Sequence, residues 1–291
     1  MLEKPGKDSD KPGKSLTNSY SKNSSDENES NSSSRKKSLS KKSSKRGAKD
    51  EILKISSTHN ENLLATLKRF ETMFLIDDSV SMARDRHWEM ALEVVKSAIE
   101  AALPHVPDGI QLQFLNSSQN LVQAKSVDEV MNLLTSFKPN GASTPTETRL
   151  EYILNDYLQK IENEKEEKNI ISKPLNIIIV TDGVADDLHN LITTIVKICK
   201  RLEAHNFPMS QVGIQFIQIG ADRNVTKQLK FLDSKLEDNY GISRDIVDMI
   251  EYTGVITEKF NLKCLLGGVN KVSFSFVLFC RIIINVLILW V

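Results

Sequence analysis

The residues of this chain best suited to chemistry lie in "FLIDDSVSM" (74–82), where apolar residues run into two aspartates and then into serines at alternate positions. An interior strand needs only the apolar part. The polar burst therefore belongs at the strand's end, where something can bind it. Two distant segments carry matching groups: Thr144 before Pro145 in "KPNGASTPTE" (138–147), and Asp182 in "LNIIIVTDG" (175–183). Asp77-x-Ser79-x-Ser81, Thr144 and Asp182 together offer carboxylates and hydroxyls, all of them oxygen donors. Hard oxygen donors without His or Cys select Mg²⁺, Mn²⁺ or Ca²⁺ over zinc. Direct contacts made mostly by neutral hydroxyls would leave such an ion electron-poor. It would then accept an outside carboxylate in an open position, which is recognition more than catalysis.

For these segments to meet, the chain must fold so that several strand ends share one rim. Met73 to Ile76 reads as a buried strand, Trp88 to Ala102 as an amphipathic helix, Gly109 to Leu115 and Asn120 to Ala124 as strands, and Val127 to Phe137 as a helix. A long helix follows from about Pro145 to Glu162, and "EKEEKN" (164–169) reads as a charged turn. The segment 175–183 repeats the opening pattern of an apolar run ending in an acid. Helices over Leu188 to Ala204 and Val225 to Leu236 alternate with strands at Val212 to Ile219 and 245–250, and a last helix covers about Glu258 to Lys271. Near-continuous Ile, Val and Leu in strands separated by helices imply α/β architecture: a Rossmann-like, doubly wound, mostly parallel sheet flanked by helices. In such sheets ligands bind beyond the carboxyl ends of the strands, where all three polar clusters would fall.

Asp77-x-Ser79-x-Ser81, Thr144 and Asp182, in this order, resemble the metal-ion-dependent adhesion site of von Willebrand factor type A domains. The resemblance runs through "RFETMFLIDDSVSM", "DGIQLQFLN", "STPTETRLEYIL", "KPLNIIIVTDG", "QVGIQFIQIG" and "DIVDMI", about residues 68–270, and looks like the intracellular, stand-alone branch. It implies a Rossmann-like fold and divalent-ion-assisted binding of a protein partner that supplies Asp or Glu. By the same resemblance Ser79, Ser81 and sometimes Thr144 touch the ion, while Asp77 and Asp182 act largely through water. Many members have Gly where this chain has Val80. If that position needs φ > 0, a β-branched residue would distort the loop. Thr146 is a second candidate for the threonine role, but Pro145 at a first helical position places Thr144 at the cap.

A different chemistry competes. "FLIDDS" superficially resembles the strand end of an aspartate-nucleophile, metal-dependent phosphohydrolase. That reaction would want a second carboxylate two residues on, where Ser79 stands, so the expectation is a non-catalytic domain. Asp186 and Asp187 read as helix N-terminal acids rather than ligands. His87, His105, His189 and His205 lie on separate elements without ligand spacing and read as surface or half-buried residues. Trp88 reads as core.

The ends of the chain have another character. The full chain is balanced at 38 basic and 38 acidic residues, yet residues 1–50 hold 13 Lys/Arg against 7 Asp/Glu and 14 serines. Almost no large apolar side chains accompany them, so residues 1–62 are expected to form a disordered tail. The basic run 35–49 has no aromatic residues. It fits a solvated tail as well as a nuclear localisation signal or an acidic ligand's contact, and nucleic acid is not the expected partner. The start of the sequence lacks an apolar stretch of the secretory kind, and Cys199, Cys264 and Cys280 are scattered, as in a reducing compartment. Cytoplasmic placement follows as the expectation, with the nucleus as an alternative. The domain is expected over 66–271. "VSFSFVLFCRIIINVLILWV" (272–291) is long enough to span a bilayer, although Arg281 costs ~2.5–3.5 kcal/mol at mid-segment and Asn285 adds to that. A membrane anchor, a misassigned gene end and a segment packed on the domain or a partner all fit it. With an anchor, the domain becomes a membrane-tethered scaffold.

Overall fold

The computed structural model describes residues 58–168, 170 and 172–269. Nearly all of the expected tail and the whole 272–291 segment lie outside the described residues. Those present form six strands: β1 (Glu71–Ile76), β2 (Ile110–Phe114), β3 (Asn120–Ala124), β4 (Leu175–Thr181), β5 (Val212–Gln218) and β6 (Val247–Glu251). The helices are α1 (His87–Ala102), α2 (Val127–Ser136), α3 (Thr146–Lys168), α4 (Leu188–Ala204), α5 (Arg223–Ser234), the short α6 (Leu236–Tyr240) and α7 (Glu258–Leu266). Residues 58–64, ahead of these, are also helical and run into a 3-10 turn at Ala65–Arg69.

The sheet order is β3-β2-β1-β4-β5-β6. Every pairing is parallel except that of β2 with β3. β4 and β5 are buried at every position, and β1 at all but its first, which explains their unbroken apolar runs. Alternate residues serve opposite faces. Met73, Leu75, Ile177, Ile179, Ile214 and Phe216 pack under α3, α4 and α5. Phe74, Ile76, Ile178, Val180 and Ile217 pack under α1, α2 and α7. Helix α1 meets that second layer through Ala91, Val94, Val95, Ala98, Ile99 and Ala102, the three-and-four spacing of a core-facing stripe. Trp88 joins it at the margin, 5.9 Å from the Phe137 ring.

The chain steps from β1 to β2 on one side and returns to β4 on the other. The order therefore reverses between β1 and β4, and that crevice is where an α/β sheet of this kind offers a site. Element limits differ from the sequence reading in three instructive places. Helix α3 continues through "EKEEK" to Lys168, because Glu and Lys are good helix formers and no breaker interrupts them. Helix α5 begins at Arg223, earlier than expected, since the Asp222 carboxylate accepts from the Asn224 and Val225 N–H groups. It also ends at Ser234, and α6 is separate.

At the end of the strands opposite the crevice, the turn after α7 lies directly on β5. A β-carbon at Gly213 would fall 2.5 Å from the Gly268 carbonyl oxygen and 2.4 Å from Val269 Cγ1. Backbone on that side cannot give way. Gly213→Ala is thus expected to destabilise the domain by about 1–3 kcal/mol, read from the urea midpoint at unchanged slope. Among the described residues no helix is long and apolar enough to cross a membrane.

Candidate metal centre

Asp77 directly follows β1, and its N–H donates to the Val180 carbonyl of β4 at 2.9 Å. That bond carries the β1–β4 ladder past the strand end and seats the carboxylate in the crevice. Asp77 is fully buried. One oxygen accepts the Ser79 N–H at 2.9 Å and the other accepts the Thr181 hydroxyl at 2.6 Å. Burial pushes its pKa above the ordinary carboxylate value, and the donors from Thr181 and Ser79 offset this only in part.

The remaining groups connect in sequence. Ser79 Oγ and Ser81 Oγ lie 2.9 Å apart, and the Ser81 hydroxyl donates to Asp182 Oδ1 at 2.8 Å. The other Asp182 oxygen takes His87 Nδ1 at 2.7 Å. Thr144 lies on the same side: a β-carbon at Gly183 would lie 3.5 Å from Thr144 Oγ1 and 3.9 Å from Asp77 Oδ2. All five residues singled out in the sequence thus come to one rim at the β1–β4 crossover. Thr146, the alternative threonine, opens α3 and is buried.

The loop carrying the serines is not distorted by Val80. This residue begins a 3-10 turn (Val80–Ala83) and is not among the residues with positive φ. Its N–H donates to the Gly141 carbonyl at 2.9 Å, while its side chain stands 48% exposed. The backbone angle that would have required glycine does not occur here.

Sequence reasoning overlooked the groups that hold the rim together. The buried Asp78 carboxylate accepts from Asn116 N (2.8 Å), Asn116 Nδ2 (2.9 Å) and Ser117 N (2.9 Å). The Asp78 carbonyl takes the Gly141 N–H at 2.9 Å. Of the paired aspartates, one thus faces the site and its neighbour fastens the loops after β2 and before α3. Removing the Asp78 carboxylate strands several donors, and Asp78→Ala should cost about 1–3 kcal/mol of stability in chemical denaturation.

The acids after β4 divide their work. Asp187 caps α4 by accepting from Asn190 N at 2.9 Å, as its position suggested. Asp186 does not act as a helix acid. Its carboxylate accepts the Thr144 N–H at 3.0 Å and its own N–H returns to the Thr144 carbonyl at 3.1 Å. His87, read as a surface or half-buried histidine, is half-buried and sits on Asp182. His105 and His205 lie against Glu61 and Glu162, at 3.3 Å and 3.6 Å, away from the rim. Among the described residues, no group of three or more His, Cys, Asp or Glu gathers as a metal ligand set. The oxygen cluster differs from such groups because its donors are mostly hydroxyls.

A parallel-rich α/β sheet with an oxygen-lined rim at its switch point defines a Rossmann-like domain. The sequence matches the von Willebrand factor type A domain over residues 71–251, and the chain belongs to that family, whose members commonly serve as protein-interaction modules. No curated relative matches the sequence. Solved structures with a similar chain path include proximal thread matrix protein 1 from the mussel byssus (16% identity, TM-score 0.35, 55% of this chain and 41% of that one). Others are the pilus adhesin SpaC from Lactobacillus rhamnosus GG (11%, 0.40, 69% and 30%) and the TFIIH p34 N-terminal domain (9%, 0.39, 69% and 99%). The chain spans about two fifths of the byssus protein's length.

Proposed function

We propose that this domain binds a partner protein through a divalent cation, Mg²⁺ or its substitutes Mn²⁺ and Ca²⁺, without catalysing a reaction. The observation that carries this reading is the fully buried Asp77 carboxylate. It faces a cluster of hydroxyls, and its described hydrogen-bond donors are the neutral Thr181 hydroxyl and Ser79 N–H. Burying an ionised carboxylate without a positive charge is costly, and a bound cation would remove that cost. Oxygen donors on both strand ends fit a hard cation.

Ser79, Ser81 and Thr144 would present their hydroxyl oxygens to the ion. Asp77 and Asp182 would orient those hydroxyls and hold waters, since the Ser81 hydroxyl already donates to Asp182. The bound ion supplies a positive centre with an open position, and an Asp or Glu of the partner would fill it. The exposed Val80 side chain lies beside this mouth and would give the partner an apolar contact. Cys199 and Cys264 are free and buried, with the Cys199 thiol pushed up to about 12 by burial. Unpaired, unreactive thiols agree with an intracellular setting.

Relaxation of ¹³C-acetate by the Mn²⁺-loaded full chain tests this reading. Broadening beyond a free-Mn²⁺ control, lost in Asp77→Asn, is the expected result. Acetate indifferent to the protein would remove the case for carboxylate capture. Phosphatase activity that disappears in Asp77→Asn would favour the phosphohydrolase instead.

A further inference from the structure

We propose that His87 is a positioning residue of this site, holding Asp182 away from direct contact with the cation so that a coordination position stays open for the partner. The inference rests on the cation reading above and adds a residue to it.

The geometry is specific. Asp182 is almost entirely buried, and both of its oxygens are engaged, one by Ser81 Oγ at 2.8 Å and the other by His87 Nδ1 at 2.7 Å. An ionised carboxylate only accepts hydrogen bonds, so Nδ1 carries the proton in this contact. On its far side the imidazole is given room. A β-carbon at Gly220 would lie 2.7 Å from His87 Nε2, and Gly220 has φ +78°, so this glycine, two residues past the end of β5, has both the absent side chain and the backbone angle that admit the ring.

The turn before α1 is bent to deliver it. Asp85 and Arg86 adopt φ of 47° and 63°, an uncommon left-handed pair for residues with side chains. The His87 N–H then closes on the Arg84 carbonyl at 2.8 Å. Arg86 stands at the start of α1 without capping it through its side chain. Helix formation alone therefore does not account for the strained turn, whereas placing the imidazole on Asp182 does.

The consequence follows from charge. With Oδ2 tied to His87 and Oδ1 to Ser81, the Asp182 carboxylate is held in one orientation, and its remaining lone pairs are left for water. A bound cation would then be met by hydroxyls and water and would remain attractive to an external carboxylate. Without the imidazole, Asp182 is free to swing inward, displace a water and satisfy the cation from within.

Water-proton relaxivity of Mn²⁺ bound to the full chain reads this directly. In His87→Leu, and in His87→Ala as an independent variant, the bound-ion relaxivity should fall by roughly a third, one of about three waters in an octahedral shell with three hydroxyl ligands. Acetate broadening should weaken in parallel. His87→Asn, whose amide can donate from near the Nδ1 position, should restore wild-type values. Thermal unfolding in chelator checks that each variant folds. Unchanged relaxivity in folded Leu and Ala variants would overturn the role of His87 and leave the cation site standing. An Asn variant that behaves like Leu would overturn the hydrogen-bond mechanism. Absence of Mn²⁺ binding in the wild type would overturn both.

Discussion

Asp77→Asn should leave the domain at least as stable as the wild type in chelator, while eliminating the stabilisation that divalent cations give. In the wild type, a cation at 100 times its dissociation constant should add about 2.7 kcal/mol; in the variant it should add nothing measurable. The asymmetry comes from burial. The Asp77 carboxylate is enclosed at the end of β1 with neutral donors from Thr181 and Ser79. An asparagine amide in its place can donate to Thr181 Oγ1, whose proton can turn to the Gly183 carbonyl 3.3 Å away. The hydrogen bonds then survive and the buried charge is gone.

The pH dependence has a definite sign. Burial raises the folded-state pKa of Asp77 above its unfolded value. Its contribution to stability is therefore fully present below the ordinary carboxylate value and is lost as pH rises through the raised one. In chelator, the stability gap in favour of Asp77→Asn should open over that window. Saturating Mn²⁺ should close or reverse it, because the cation binds the ionised form. Thermal unfolding of both proteins from acid to neutral pH checks this.

The second large effect is expected at Asp186, which the cation need not touch. Its carboxylate and N–H clasp the backbone of Thr144 on either side. Asp186→Ala frees the loop that carries the threonine hydroxyl and should weaken Mn²⁺ binding by roughly 10–100-fold, as loss of a supporting contact around a metal typically does. Asp186→Asn, which keeps an accepting oxygen, should recover most of the affinity. The adjacent Asp187→Ala removes only the α4 cap and should cost about 1 kcal/mol of stability with little change in cation affinity. Calorimetric titration of the three variants separates these roles.

Asp77, Ser79, Ser81, Thr144 and Asp182 drew notice in the sequence because each places an oxygen donor shortly after an apolar run or shortly before a helix. A doubly wound sheet brings such positions to one rim. The same apolar runs made β1, β4 and β5 legible. What escaped was whatever depends on contacts between segments far apart in sequence. Asp78 looks like a second site acid beside Asp77, but strand alternation sends it to the loops at Asn116 and Ser117. Asp186 and Asp187 look alike in "TDGVADD", and only the packing of the Thr144 loop distinguishes them. His87 carried no ligand spacing, since its partner is 95 residues away. The Gly-Val difference at position 80 suggested strain that the 3-10 turn does not impose. The EKEEK segment looked like a turn because a charged, solvated helix end lacks the apolar periodicity that marks one.

On the proposed reading, the rim of β1 and β4 holds a divalent cation. Isothermal titration of Mg²⁺ and Mn²⁺ into the full chain, beside Asp77→Asn and Ser81→Ala, tests it most directly. A single site in the wild type that is abolished or strongly weakened in both variants is the predicted result. Equal binding by all three proteins, or none by the wild type, would contradict it.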